Sequence, residues 1–248
     1  GYLPTVNDYK GFMHKRMAEI AARRAKFILP VSHDLAAAMR NRHLDGNYLV
    51  INNVVDDFFY EHADAKPRTK KRLLHISCMD EPHKNVFGIL RAARLLWDKR
   101  QDFELVIVGT GRDYVITTDY AQSLGILGNA VRFVGEQTPA QVCEWFYDSD
   151  AFVLFSNYEN APVVISESLA VGCPIVSSDV GGIAEMVNTQ CGVLIAPRDE
   201  QALLREMDSM LDNYNHYNRD AIRSCGVQYS YQSVGQQLYS IYEQSIEK

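Results

Sequence analysis

Two carboxylates with a fixed spacing are the residues of this chain best placed for chemistry. Glu159 and Glu167 are separated by seven residues, and Pro162 lies between them. Residues 152–155 form an apolar run typical of a buried strand, so Glu159 is predicted in the loop that follows that strand. Because Pro162 suits the first position of a helix, Glu167 is predicted on the first turns of the helix.

A helix N-terminus beside two acids can recognise a ligand that carries both phosphates and hydroxyls. The unpaired N–H groups and partial positive charge of a helix N-terminus attract an anion such as a diphosphate. Carboxylates are poorly suited to phosphates, but they accept hydrogen bonds from hydroxyl groups. The residues around Pro162 therefore favour a nucleotide sugar, which has both kinds of group.

Short apolar segments that alternate with helical ones must position these residues. Six segments after residue 70 predict strands, at residues 73–77, 104–109, 131–134, 151–155, 175–177 and 192–195. This alternation indicates an α/β fold, with a Rossmann-like parallel sheet and helices on both of its faces. Ligands of such sheets bind at the carboxyl ends of the strands. Lys84, Gly135, Glu159 and Gly181 all follow predicted strands, so we expect them along one edge.

The chain before residue 49 has a different pattern. Residues 12–26 predict a helix with several basic residues, and residues 27–31 predict a strand. Ser32 is then predicted to cap a helix that runs through Arg40.

Towards the end of the chain, two segments have helical periodicity. They are residues 200–213 and residues 233–246, and the second is expected to place Val234, Leu238, Ile241 and Tyr242 on one face. Glu185 lies between the sheet segments, and we predict that it caps a helix and takes no part in catalysis.

Composition and charge narrow the class of protein. The chain has 248 residues, of which 47% are hydrophobic and 23% charged, as expected of a soluble globular protein. No apolar run approaches the ~20 residues of a membrane-spanning helix. We expect a cytoplasmic location, including one at the inner face of the membrane. The net charge of −6 argues against a nucleic-acid partner, which would require a basic surface.

Cysteine and histidine usage gives no sign of a metal centre. The five cysteines are scattered and odd in number, which favours reduced thiols over a disulfide framework or a zinc site. The seven histidines also lack the spacing of metal ligands. We therefore expect no metal ion and no cofactor.

The segment Glu159-Asn-Ala-Pro-Val-Val-Ile-Ser-Glu167 resembles the Glu-x7-Glu motif of the retaining glycosyltransferases of family 4. That family has the GT-B architecture of two facing Rossmann-like domains. Other segments resemble the family in the same order: the linker at residues 50–56, the strand, loop and helix at residues 73–96, and the strands at residues 103–111, 131–135 and 150–156. The resemblance covers roughly residues 25 to 200.

This resemblance implies a division of the chain. Residues 1–48 would be a remnant of the acceptor-side domain, and residues 49–70 the interdomain linker. Residues 71–248 would be the donor-binding domain, one half of a GT-B fold, with a C-terminal helix that crosses back to the acceptor side. The chain is then expected to be a piece of a longer protein, to be inactive alone, and to have the missing N-terminal domain as its partner.

The resemblance also implies roles for individual residues. Glu167 would bind the ribose hydroxyls of a UDP- or GDP-sugar, and Glu159 would contact the transferred sugar. Lys84 would neutralise the diphosphate as it leaves, and transfer would proceed with retention, without a protein nucleophile. Further donor contacts are implied for main-chain or side-chain groups of Ala161, Val163, Val164, Gly135, Gln137, Gly181 and Gly182.

Two features depart from the family or invite another interpretation. The family has an arginine in the loop after the first donor-domain strand, where this chain has Cys78 and Met79, so helix N-termini or another basic residue would have to share the diphosphate with Lys84. Gly109-Thr-Gly111 begins like a dinucleotide fingerprint, but the third glycine position is Tyr114. We therefore predict that these glycines serve only a tight turn between strand and helix.

Three alternatives stay open at this stage. A Rossmann oxidoreductase would need Gly-x-Gly-x-x-Gly after its first strand, where this chain has Ser77-Cys78-Met79. A non-catalytic module that binds a nucleotide sugar or a protein would share all of the motifs above. A GT-B phosphorylase or epimerase would share the fold, but the region of Glu159 matches the transferases better.

Overall fold

Six parallel strands form one sheet in the computed structural model of the chain, which describes residues 12–61 and 66–246. The strands are β1 (Lys71–Ile76), β2 (Phe103–Val108), β3 (Val131–Gly135), β4 (Ala151–Leu154), β5 (Ile175–Ser178) and β6 (Gly192–Ile195). Their order across the sheet is β3-β2-β1-β4-β5-β6. All six predicted strands are confirmed, with ends that differ by no more than about two residues.

Helices cover both faces of this sheet, as predicted. The helices are α1 (Phe12–Arg24), α2 (His33–Asn41), α3 (Glu81–Lys84), α4 (Val86–Lys99), α5 (Tyr114–Ser123), α6 (Pro139–Tyr147), α7 (Val163–Val171), α8 (Glu200–Asn213), α9 (Arg219–Gly226) and α10 (Tyr231–Ile246). Successive strand residues point to opposite faces, so Leu73 packs with α4, α5 and α8 while Leu74 packs with α6, α7 and α9. Both leucines are fully buried, which explains the continuous apolar runs of the strands.

The strand order reverses at β1. This strand pairs with β2 on one side and with β4 on the other. Because Leu74 lies opposite Phe152, β1 and β4 end at the same level. The chain leaves the two strands in different directions, and a crevice opens between the loops that follow them. The sheet thus brings the loop after residue 76 and the loop after residue 154 together.

The segment before the linker contains two helices but not the predicted strand. The prediction of a strand at residues 27–31 is wrong, because only Ile28 forms a bridge, parallel to Tyr48. Pro30 has no N–H group with which to extend the pairing. The prediction for Ser32 is confirmed, since its hydroxyl oxygen accepts the N–H of Leu35 at 3.1 Å at the start of α2.

Helix α10, near the end of the chain, packs against the linker. Val234 and Ile241 are buried against Ile51, with Leu238 partly buried beside them. The expectation that Tyr242 shares this apolar face is wrong, because its side chain is 64% exposed. Neighbouring segments leave one side of the helix uncovered, and the hydrophobic spacing alone could not show where the contact ends.

The division of the chain at residues 48 and 70 stays a prediction. Residues 1–11 of the predicted remnant and residues 62–65 of the predicted linker lie outside the described residues, as do residues 247–248. Within the linker, the N–H of Val55 donates to the carbonyl of Tyr229 at 2.9 Å, and Phe59 is buried beside Phe146. The described part of the linker is therefore packed against the sheet unit.

Candidate active site

The loops after β1 and β4 are joined directly to each other. The N–H of Asn157 donates to the carbonyl of His83 at 2.7 Å, and its side-chain amide donates to the carbonyl of Pro82 at 3.1 Å. Asn157 follows β4, whereas Pro82 and His83 belong to the short helix α3 after β1. These hydrogen bonds fix the floor of the crevice, so side chains on the two loops face a common space.

Lys84 and Glu159 form an ion pair in this crevice. The distance from Lys84 Nζ to Glu159 Oε1 is 2.6 Å, and the side chains are only 17% and 9% exposed. The hydroxyl of Ser156, which is fully buried, donates to the same Oε1 at 2.7 Å. Lys84 and Ser156 both donate to Oε1, and these are the contacts of the Glu159 carboxylate in the described part of the chain. The second oxygen, Oε2, therefore keeps lone pairs with which to accept a ligand hydroxyl.

Local backbone geometry places Lys84 at this point. Helix α3 ends at Lys84 because Asn85 adopts a left-handed conformation with φ 47°. Asparagine tolerates this conformation better than most residues. Its side-chain oxygen then accepts the N–H of Gly88 at 3.2 Å and caps α4. Lys84 thus lies at a sharp corner between two helices, where its side chain turns towards Glu159.

Beneath the crevice, β1 and β4 are linked by a histidine. His75 is fully buried, with Nδ1 2.9 Å from the carbonyl of Val153 and Nε2 2.8 Å from the hydroxyl of Ser77. Burial lowers the pKa of His75 to about 4, and the charge of Lys84 acts in the same direction. The imidazole is therefore neutral at physiological pH and serves the structure of the sheet.

Helix α7 begins beside Glu159. The structure places Pro162 at the N-cap and not at the first helical position, so that prediction is wrong by one residue. Its φ of −69° is the value that proline prefers, and the extended ψ of 123° excludes it from the helix proper. The side-chain amide of Asn53, in the linker, donates to the carbonyl of Ala161 at 3.0 Å. The N–H of Ile165 already donates to the carbonyl of Pro162 at 3.0 Å, whereas the N–H groups of Val163 and Val164 precede the first acceptor within the helix.

Glu167 lies on α7, five residues after the N-cap Pro162, and is not among the residues that line the crevice. Burial, together with the nearby charge of Asp56, raises the pKa of the Glu167 carboxyl to about 7. Asp56 is itself held by the hydroxyl of Tyr231, which donates to Oδ1. The raised pKa means that this carboxyl group exchanges its proton near neutral pH, unlike an ordinary surface glutamate.

The turn at Gly181 and Gly182 packs against the backbone of the Glu159 loop. Gly181 has φ 55°, and a Cβ atom there would lie 1.8 Å from the carbonyl oxygen of Glu159. A Cβ on Gly182 would lie 2.3 Å from the carbonyl oxygen of Asn160. Close approach of protein backbone therefore requires both glycines. Their contact with a donor stays a prediction.

The pair Gly109 and Gly111 has a similar explanation, which confirms the prediction of a tight turn. A Cβ on Gly109 would lie 2.0 Å from the carbonyl oxygen of Ser77, and one on Gly111 would lie 2.6 Å from the backbone nitrogen of Met79. The loop after β2 is thus pressed against the loop after β1.

Gly135 and Gln137 lie at the end of β3, two strands away from β1. Gly135 has φ 71° and open space around the position of a Cβ atom. The side-chain amide of Gln137 donates to the carbonyl of Val134 at 3.0 Å, and its oxygen accepts the indole N–H of Trp145 at 3.4 Å. The sheet therefore separates these two residues from the pair of Lys84 and Glu159, and their contact with the base of a nucleotide stays a prediction.

Several residues that line the crevice were not predicted from the sequence. The crevice measures about 240 Å³ and is lined by Cys78, Asp80, His83, Lys84, Tyr158, Glu159 and Asn160. Asp80 accepts a hydrogen bond from His83 Nδ1 at 2.9 Å and also pairs with Arg112. The signal available in the sequence was the position of Asp80 and His83 soon after β1, and of Tyr158 and Asn160 soon after β4. In the region of the family's arginine, Cys78 is exposed and Met79 is 1% exposed.

All five cysteines are free thiols in the structure. Across residues 12–61 and 66–246, no group of three or more His, Cys, Asp or Glu side chains is arranged to hold a metal ion, and metal independence stays a prediction. None of the helices in the described part of the chain has the length and apolar character needed to cross a bilayer.

The fold and the crevice define a Rossmann-like α/β protein with a ligand site at the carboxyl edge of its sheet, between β1 and β4. The family model described as Glycosyl transferases group 1 matches residues 58–223, and the chain belongs to this family.

Known glycosyltransferase sequences are similar to this chain over part of their length. The chain is 34% identical to a glycogen synthase of Mycobacterium tuberculosis over 166 residues, which cover 66% of this chain and 40% of the relative. It is 27% identical to the MMP alpha-(1->4)-mannosyltransferase of Mycolicibacterium hassiacum over 256 residues, which cover 98% of this chain and 59% of the relative. The chain thus spans about half the length of these relatives.

Solved structures share the fold. The sucrose-phosphate synthase of Thermosynechococcus elongatus superposes with a TM-score of 0.81 at 19% identity, covering 98% of this chain and 64% of that one. Anabaena Alr3699/HepE, solved in complex with UDP, gives a TM-score of 0.81 at 20% identity, covering 94% of this chain and 68% of that one.

Proposed function

We propose that the chain binds a nucleotide sugar, with UDP or GDP as the nucleotide, for a glycosyltransferase reaction that retains the configuration at the anomeric carbon. The observation that carries this proposal is the buried pair of Lys84 and Glu159 beside the N-terminus of α7. Membership in the group 1 family supports the reaction class. The complexes of Anabaena Alr3699/HepE with UDP and with UDP-glucose support the class of donor.

The diphosphate would lie between Lys84 and the first N–H groups of α7. The ammonium group and the helix N-terminus both attract negative charge, and charge on the diphosphate grows as the glycosidic bond breaks. Stabilisation of the leaving group is therefore the contribution that these groups can make to the rate. In this proposal Lys84 assists departure, and no carboxylate of the chain attacks the sugar.

The two glutamates would bind different parts of the donor. Glu159 Oε2 would accept hydroxyl protons of the transferred sugar, because Oε1 already accepts from Lys84 and Ser156. Glu167 would accept the two ribose hydroxyls, which requires its carboxylate form. Hydrogen bonds to a charged group contribute about 1.5–3 kcal/mol each, so either contact would be measurable.

The acceptor would be held by protein outside this chain. The chain spans about half the length of the relatives, and the acceptor-side domain predicted from the sequence would supply the missing part. Holding two reactants in alignment contributes roughly 7–11 kcal/mol in the best cases. We therefore infer that this chain alone transfers sugar far more slowly than the longer protein.

Titration calorimetry with UDP, GDP and UDP-glucose, with and without EDTA, tests the donor assignment. We expect binding that EDTA does not abolish. Glu167→Ala should weaken UDP and UDP-glucose alike, by about tenfold or more, because one charged hydrogen bond is worth 1.4 kcal/mol or more. Glu159→Ala should weaken the additional affinity of UDP-glucose over UDP without weakening the affinity for UDP itself, because a carboxylate repels the phosphates that the two ligands share.

Asp98→Ala provides the matched control, since Asp98 is an exposed acid on the outer side of α4. Its affinity for each nucleotide should equal that of the parent chain. A loss of UDP affinity in the Glu159 variant, or a loss confined to UDP-glucose in the Glu167 variant, would contradict the division of roles. Absence of nucleotide binding by the parent chain would refute the proposed function.

A further inference from the structure

Glu185 joins helix α2 to the turn that supports the crevice. Its carboxylate oxygens accept the N–H of His33 at 2.8 Å and the N–H of Asp34 at 2.7 Å. These are the first two N–H groups of α2, and Ser32 accepts the third, from Leu35. The prediction that Glu185 caps a helix is confirmed. The helix it caps lies about 150 residues earlier in the chain.

The other side of the same turn touches the Glu159 loop. The N–H of Gly182 donates to the carbonyl of Asn160 at 2.8 Å. The position of a Cβ atom on Gly182 lies 2.3 Å from that carbonyl oxygen and 2.7 Å from Ser32 Cβ. The turn Gly181–Glu185 therefore lies in direct contact with both the Glu159 loop and the start of α2.

This turn is also the element of the sheet unit with which α2 has its largest contact. Next to it lies a polar cavity whose lining includes Ser32, Asn52, Ala161 and Gly182. The two hydrogen bonds of Glu185 link the turn directly to the start of α2. A carboxylate that accepts from a helix N-terminus is also favoured by the helix dipole.

We propose that Glu185 is a positioning residue that couples occupation of the sugar subsite to helix α2. The inference builds on the proposed function, because it takes Glu159 and Asn160 as the loop that the transferred sugar contacts. A sugar that orders this loop also orders the turn through Gly181 and Gly182. Glu185 then holds the first turn of α2 more tightly. The segment that precedes the linker thereby senses whether a donor, and not merely a nucleotide, is bound.

Amide hydrogen exchange of the 248-residue chain, followed by NMR, tests this coupling. We expect saturating UDP-glucose to slow exchange at His33 and Asp34 by about tenfold, the effect of roughly 1.4 kcal/mol, whereas UDP alone should leave it within about twofold. Glu185→Gln keeps the shape of the side chain but presents an N–H₂ group to one of the two donors. In this variant the slowing should disappear, and the affinity for UDP should stay within about twofold of the parent.

Asp199→Ala is the matched control, because Asp199 caps α8 through the N–H of Ala202 at 2.8 Å and has no contact with α2. It should retain the slowing at His33 and Asp34. Binding of UDP-glucose without a change in exchange at α2 would overturn the coupling while leaving the proposed function intact. Failure of the parent chain to bind any nucleotide would instead overturn the proposed function. If Glu185→Gln does not fold, the difference between UDP and UDP-glucose in the parent chain still decides.

Discussion

The losses of stability caused by removing Lys84 and Glu159 one at a time should add up to more than the loss caused by removing both together. In Lys84→Met the carboxylate of Glu159 would stay buried with only the hydroxyl of Ser156 as a partner. In Glu159→Gln the amide oxygen can still accept from Ser156. The ammonium of Lys84, whose side chain is 17% exposed, can turn towards water.

The burial of the two side chains sets the size of these effects. Breaking a buried ion pair by removing one partner costs about 3–5 kcal/mol, and the remaining bond from Ser156 places Lys84→Met at the lower end, near 3 kcal/mol. Glu159→Gln loses a charge-assisted hydrogen bond but strands no buried charge, which costs about 1–2 kcal/mol. The double variant has neither charge and should lose about 2 kcal/mol. The coupling energy between the two sites is then roughly 2–3 kcal/mol.

Urea unfolding of the four proteins at pH 7 measures this cycle. The same cycle on Arg94 and Asp98 is the control, because that pair has a similar distance of 2.7 Å but side chains that are 37% and 52% exposed. Its coupling should not exceed about 0.5 kcal/mol. If the losses of the Lys84 and Glu159 variants add to within about 0.5 kcal/mol, the pair is not the buried contact that the structure shows.

Two further predictions concern Glu167 and the glycine turn. Burial raises the pKa of Glu167 from 4.5 to about 7, so its protonated form stabilises the fold below pH 4.5, and that contribution is lost as the pH rises through 7. Glu167→Gln should remove about 2–3 kcal/mol of the decline in unfolding free energy between pH 5 and pH 8, measured with urea. Gly182→Ala should lose about 1–3 kcal/mol because its methyl group meets the carbonyl of Asn160, whereas Gly235→Ala, in open space on α10, should gain about 0.5–1 kcal/mol. Similar thermal shifts for both glycine variants would contradict the backbone-contact explanation.

The sheet could be predicted from the sequence because its signal is local. Leu73 and Leu74 belong to opposite cores, and a strand buried on both faces appears as an apolar run whichever helices cover it. The strand predicted at residues 27–31 has the same kind of apolar run. It is not a strand because its pairing with residues 47–51 amounts to one bridge, at Ile28, and Pro30 can accept but not donate a backbone hydrogen bond. Hydrophobic pattern identifies a segment that can form a strand, whereas tertiary structure decides whether it does.

The candidate site was predictable in its location but not in its contacts. Glu159 and Lys84 each follow a strand, and parallel strands place such residues on one edge. Nothing in their spacing of 75 residues shows that they touch, since this depends on β1 and β4 being neighbours. Glu185 shows the same limit more clearly. Its role as a helix cap was predictable from its residue type, but only the folded chain shows that the helix it caps is α2.

The pairing of Lys84 also bears on the arginine that this chain lacks after β1. An ammonium already bound to Glu159 attracts a diphosphate less than a free one, because the carboxylate repels the same phosphates. At a distance of 6 Å and an effective dielectric constant of 20, each interaction is worth about 3 kcal/mol, so attraction and repulsion nearly cancel. Under the proposed function, most of the affinity would then come from the N–H groups of α7 and from ligand hydroxyls at Glu159 and Glu167. A crevice built in this way favours a ligand that carries sugar hydroxyls together with its phosphates over a bare diphosphate.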